Sequence, residues 1–148
     1  MSRLGKLSAG VAVFSLAVPA MLAGCANTTN GYKLAQYERP TEVCVIENPR
    51  VTYKASVNHL LDAIARRGIK TYFVPSVEAC PKTTPYTLDY SVRRSWSYMT
   101  YVGTIWLTLR REGEIVATAN YNAGELTLTK WGRSKNRMDD TVGRLFED

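Results

Sequence analysis

The chain has 148 residues, about one domain's worth, with a formal net charge of +6 and a pI near 9.3. This is mildly basic: it favours anionic partners only weakly and is an ordinary value for solubility. With three cysteines, one histidine and no Cys-x-x-Cys, phosphate loop or dinucleotide fingerprint, the sequence lacks the spacings of the common zinc, redox and nucleotide sites.

Arg3 and Lys6 open the chain, and an apolar run follows from Leu7 to Leu22, broken only by Ser8, Gly10, Ser15 and Pro19. Ala23 and Gly24 close it with small residues. This three-part order is that of a secretory signal. A membrane-spanning helix needs about 20 apolar residues, and this run is shorter and carries a proline.

Leu22-Ala23-Gly24-Cys25 resembles the lipobox of bacterial lipoproteins, in which the cysteine is acylated and becomes the mature N-terminus. The resemblance implies a lipoprotein signal peptide over 1–24. It also implies a thioether-linked diacylglycerol and an amide-linked acyl chain on Cys25; more than one chain makes a stable anchor. Ala26 stands where an inner-membrane retention signal usually shows aspartate, which favours the outer membrane and a domain facing the periplasm.

The mature chain then has 124 residues, and losing Arg3 and Lys6 takes its formal charge from +6 to +4. Cys44 and Cys80 remain. In an oxidising compartment two cysteines are most simply one disulfide, a redox pair or metal ligands being the alternatives. Residues 25–40 read as a lipidated tether, because ANTTNGYKLAQYERP (26–40) has no apolar periodicity. The periplasmic domain is expected over 41–148.

TEVCVIEN (41–48) predicts a buried strand. Tyr53, Val57, Leu60, Leu61 and Ile64 recur at helical spacing up to Gly68, with Thr52 or Ser56 as cap. IKTYFVPS (69–76) predicts a second strand, and the three elements together are the size of a parallel βαβ unit. Tyr86, Leu88, Tyr90 and Val92 alternate with polar residues as in a half-buried strand. YVGTIWLTLR (101–110) and EIVATANY (114–121) flank Glu112-Gly113 as a hairpin, and LTLTKW (126–131) predicts an edge strand. Met138, Val142, Leu145 and Phe146 share a helical face, with Asn136 as N-cap and Asp139-Asp140 in the first turn. The sum is an α+β two-layer sandwich: a mixed sheet of about 4–6 strands, βαβ then antiparallel meander, with two helices on one face.

The stretches CVIENPRV, ARRGIKTYFV, CPKTTPYTLDYSVRRSW and TKWGRSKNRMDD resemble an uncharacterised family of small proteobacterial lipoproteins, over most of residues 42–146. The resemblance implies lipidation and the cysteine pair. It supplies no activity.

His59, the single histidine, falls between the helix's apolar positions and is expected at the surface, with Asp62 three residues on. No serine or cysteine nucleophile stands beside it in a recognisable motif, and Glu112 and Glu114 read as solvated hairpin charges. The sequence therefore offers no catalytic residue, metal site or cofactor. What remains is a basic–aromatic set: Arg93, Arg94 and Trp96, then Lys130, Trp131, Arg133, Lys135 and Arg137, with Tyr98, Tyr101 and Trp106 among them. Interleaved cations and rings suit single-stranded nucleic acid, which an exported, tethered domain does not meet; an envelope protein, a glycan or anionic lipid suits it better. The competing reading packs the tryptophans under the helices. The expected function is a non-catalytic, membrane-anchored binding or accessory module for another envelope component. A small-molecule-binding or hydrolytic pocket between sheet and helices, and a self-associating structural lipoprotein, are the alternatives.

Overall fold

The computed structural model describes residues 28–34, 37–124 and 132–147. Cys25, the segment read as signal peptide, the expected strand at 126–131, Lys130 and Trp131 lie outside the described residues. In chain order the elements are β1 (Thr28–Lys33), β2 (Glu42–Ile46), α1 (Lys54–Arg66), β3 (Lys70–Val74), a single 3-10 turn (Val77–Ala79), β4 (Tyr86–Ser97), β5 (Met99–Arg111), β6 (Glu114–Asn122) and α2 (Ser134–Phe146). The six strands form one open mixed sheet, ordered β1-β6-β5-β4-β2-β3. This is the α+β two-layer fold.

Strand periodicity sorts the faces. Val43, Val45, Leu88, Tyr90, Ile105, Leu107, Ala119 and Tyr121 turn inward and join Leu60, Ile64, Val142 and Leu145 of the helices in one core. The intervening residues leave the other face polar: Asn30, Asn120, Trp106 and Ser91 lie in one row across β1, β6, β5 and β4. Such alternation is what one packed and one open sheet face demands.

β2 pairs in parallel with both β3 and β4, and α1 carries the chain from β2 to β3. Cys44 and Cys80 form the expected disulfide, with 6.0 Å between their Cα atoms. Cys44 is fully buried at the middle of β2. At the β5–β6 turn Glu112 and Gly113 both have positive φ (52° and 89°), as a two-residue type I′ hairpin requires.

Three expectations are corrected. The segment read as an unstructured tether contains β1, which pairs antiparallel with β6 from Thr28 to Lys33. Residues 38 and 40 are also held: the Tyr86 hydroxyl donates to Glu38 O at 3.0 Å, and Pro40 is buried. Second, neither Thr52 nor Ser56 caps α1; Tyr53 occupies the cap without a side-chain bond, and the buried Ser56 hydroxyl donates to Tyr53 O. Third, α2 starts at Ser134 with Arg133 at the cap, so Asn136 lies inside the helix and Asp139-Asp140 fall beyond its first turn. Asp139 instead pairs with Arg66 and Arg67 at the end of α1.

Candidate functional site: the basic–aromatic end of the sheet

Register defines one end of the sheet. Thr28, where β1 begins, faces Asn122 of β6; Asn122 faces Thr104 of β5, and Thr104 faces Arg93 of β4. Beyond this row β4 and β5 run on as a two-stranded arm, from Arg94 paired with Val102 to Ser97 paired with Met99. The register shifts at Arg93/Arg94, a bulge that re-aims the arm. Arg93-Arg94 therefore marks the root of a hairpin and not a strand end.

The arm carries exposed rings. Trp96 is 76% exposed, Tyr98 at the tip 89% and Met99 59%. Trp106, on the open face, is 56% exposed. The packing of tryptophans under the helices thus fails for Trp96 and Trp106, because the bulge and the outward strand positions put them in solvent. Tyr101 is half-buried against the core.

Both helices start at the same end. The Arg94 guanidinium lies 4.7 Å over the Tyr53 ring at the head of α1. A notch of about 100 Å³ there is lined by Tyr53, Arg94, Thr100 and Tyr101 together with Gly132 and Ser134 at the head of α2. Arg133 and Lys135 are exposed, while Arg137 is half-buried with its guanidinium 5.5 Å over the Tyr121 ring. Arg93, Arg94, Trp96, Arg133 and Lys135 are thus brought to one end, with Arg137 at its inner margin. The other basic pair, Arg110-Arg111, is at the far end of the sheet, where Arg110 meets Asp89 at 3.2 Å.

Tyr98 has φ 61°, a left-handed conformation that costs a non-glycine residue about 1–2 kcal/mol. Its ring buries almost nothing in return. Replacing Tyr98 with glycine is expected to stabilise the domain by about 1 kcal/mol, read as a raised midpoint in urea. Sequence reading placed Tyr98 among the aromatics but missed the tip and Met99, because SWSYMT contains no glycine, asparagine or proline to mark a turn.

The sheet–helix pocket has a counterpart: a cleft of about 660 Å³ between β1 and α2, lined by Lys33, Arg67, Asp139, Asp140, Arg144 and Glu147 among others. At Gly31, one of its lining residues, β1 and α2 approach closely: a Cβ there would lie 3.2 Å from the Arg144 carbonyl oxygen. Its charges largely serve each other. Arg66 and Arg67 approach Asp139 at 2.7 and 2.9 Å, and hydrogen bonds from both hold the Asp139 carboxyl below the usual carboxylate range. The Arg67 Nε lies 2.7 Å from a Glu147 oxygen in an ion pair not aligned as a hydrogen bond. His59 is half-buried on α1 and does not line the cleft. Among the described residues no three His, Cys, Asp or Glu side chains gather as metal ligands, and no helix is long and apolar enough to cross a membrane.

No protein-family model and no curated protein matches the chain. Among solved structures it is similar to PelC from Paraburkholderia phytofirmans, described as a dodecamer in two crystal forms. A single-substitution PelC variant gives a TM-score of 0.59 at 13% identity, covering 82% of this chain and 99% of that chain. The other form gives 0.57 at 15% identity, covering 80% and 98%. A minor lipoprotein from Acinetobacter baumannii gives 0.34 at 14% identity, covering 71% and 95%. At such identities the likeness to PelC is one of fold.

Proposed function

We propose that the chain is a non-catalytic, lipid-anchored accessory module of the bacterial envelope, held at the outer membrane through Cys25 and facing the periplasm. The basic–aromatic end of the sheet is its contact surface for an anionic envelope component. The observation that carries this reading is the exposure of Trp96 and Tyr98 on an arm rooted among Arg93, Arg94, Arg133 and Lys135. Exposed aromatic and arginine side chains are the residue types that dominate binding energy when a partner covers them. The lipobox-like Leu22-Ala23-Gly24-Cys25 supports the location.

Charge reversal tests it. Arg133→Glu with Lys135→Glu is expected to abolish capture of the partner from the native envelope while the melting temperature stays within a degree or two, since exposed side chains away from the core change stability by about 0.5 kcal/mol or less. Loss of fold would return these residues to a packing role. Intact capture would remove the surface from the reading.

A second reading, self-association, is favoured by the fold neighbours: the PelC structures are dodecamers. β1 and β3 are the two edges of an open sheet, and unpaired edges are templates for pairing. Light scattering on the detergent-solubilised full-length protein separates the readings. A single protomer's mass speaks against assembly through these edges.

A further inference from the structure

We infer that the component met by the arm is the anionic lipid surface itself, so that the β4–β5 tip forms a second membrane contact beside the acylated N-terminus. The inference rests on the lipid-anchor reading above and deepens it.

Distances carry the first part. Cys25 precedes Thr28 by three residues, which span at most about 11 Å of fully extended chain. Thr28 lies in the Asn122–Thr104–Arg93 row, and the arm continues beyond that row in the direction of the domain's N-terminal end. Four residues of β4, Arg94 to Ser97, project it by about 13 Å at 3.3 Å per residue. The overhang therefore matches the whole reach of the tether. A domain anchored at Cys25 and standing on this end brings Trp96, Tyr98 and Met99 to the depth of the lipid headgroups.

Chemistry carries the second part. Tryptophan and tyrosine have an apolar ring with a polar edge and favour the membrane–water interface. Arginine and lysine lay their apolar stems along such a surface while the charged heads meet phosphate. Arg93 and Arg94 stand at the arm's root, and the exposed Arg133 and Lys135 flank Ser134, which lines the notch beside Arg94. The strained Tyr98 backbone also fits, because it holds the ring out at the tip, 89% exposed.

Tryptophan fluorescence on the full-length acylated protein, reconstituted into vesicles containing phosphatidylglycerol, tests the inference. A Trp106→Phe/Trp131→Phe variant leaves Trp96 as sole reporter, and a Trp96→Phe/Trp131→Phe variant leaves Trp106. The Trp96 emission is expected to shift to the blue and to be quenched by acyl-chain-brominated lipid several-fold more than that of Trp106. Replacing the anionic lipid with phosphatidylcholine, or raising salt to about 1 M where screening acts over about 3 Å, reduces the effect. Flotation with the vesicles is recorded in the same samples. A chain that floats while Trp96 emits as in water overturns the inference and leaves the anchor standing. A chain that does not float overturns the anchor reading and the inference with it. Water-like Trp96 that becomes buried only when envelope extract is added assigns the arm to a protein partner and also overturns the inference.

Discussion

Replacing both Cys44 and Cys80 with alanine is expected to destabilise the domain by about 4 kcal/mol, the loop-entropy value for the closed loop. The bridge spans a sequence separation of 36 and encloses α1, β3 and the 3-10 turn. Freed of it, the unfolded chain gains the conformations that the loop forbade, and the folded chain loses the tie between the 3-10 turn and β2. Alanine is the informative replacement. Serine at Cys44 places a hydroxyl at a site with no solvent exposure, adding a desolvation cost unrelated to the cross-link. Denaturation in urea with and without reductant measures the effect. A loss below about 1 kcal/mol would show that the reduced chain keeps the same constraint by packing alone.

Arg67→Ala is expected to cost about 2–3 kcal/mol, the range for hydrogen bonds to a largely buried charge. Its side chain is 11% exposed and clamps the two helices. Nη1 donates to Ala63 O and to Asp139 Oδ1, both at 2.9 Å, and Nη2 donates to Asp139 O at 3.1 Å. Lysine does not restore this set, because one ammonium cannot present the planar fork. Arg66→Ala serves as the contrast: its pair with Asp139 is 43% and 39% exposed, which limits it to under about 1 kcal/mol. The same cluster sets a sign for pH. Because the folded Asp139 carboxyl titrates below its usual range, its contribution is present above about pH 4 and fades as pH falls through the folded value. In Arg67→Ala that acid sensitivity shrinks.

β2, α1 and the β5–β6 hairpin were legible because buried apolar residues recur along each and a turn residue stands at its end; β3, which buries no residue fully, was legible from its β-branched and aromatic run between Gly68 and Pro75. β1 was not. TTNGYK pairs on one side only, lies at the sheet edge, and has Gly31 where an added Cβ would crowd the Arg144 carbonyl of α2. Apolar periodicity cannot announce a strand whose inward positions include glycine and threonine. The start of α2 was misplaced for a related reason: an asparagine two residues inside the helix offered a better cap than Arg133, and no side chain caps the real start. The displaced boundary hid the Asp139–Arg67 clamp, since Asp139 then seemed satisfied by the helix end. For the site, sequence supplied the residue types, and the exposure of Trp96 followed only once the bulge at Arg93/Arg94 and the arm beyond it were known.

The basic–aromatic end is proposed as the surface through which the protein meets its envelope component. Site-specific photocrosslinking in the intact envelope tests it most directly, with the crosslinker at position 96 or 98 and, as control, at Ile115, which is 43% exposed at the opposite end of the sheet. Discrete adducts, to lipid or to one protein, are expected from positions 96 and 98 and none from 115. Adducts from 115 with none from 96 or 98 would contradict it.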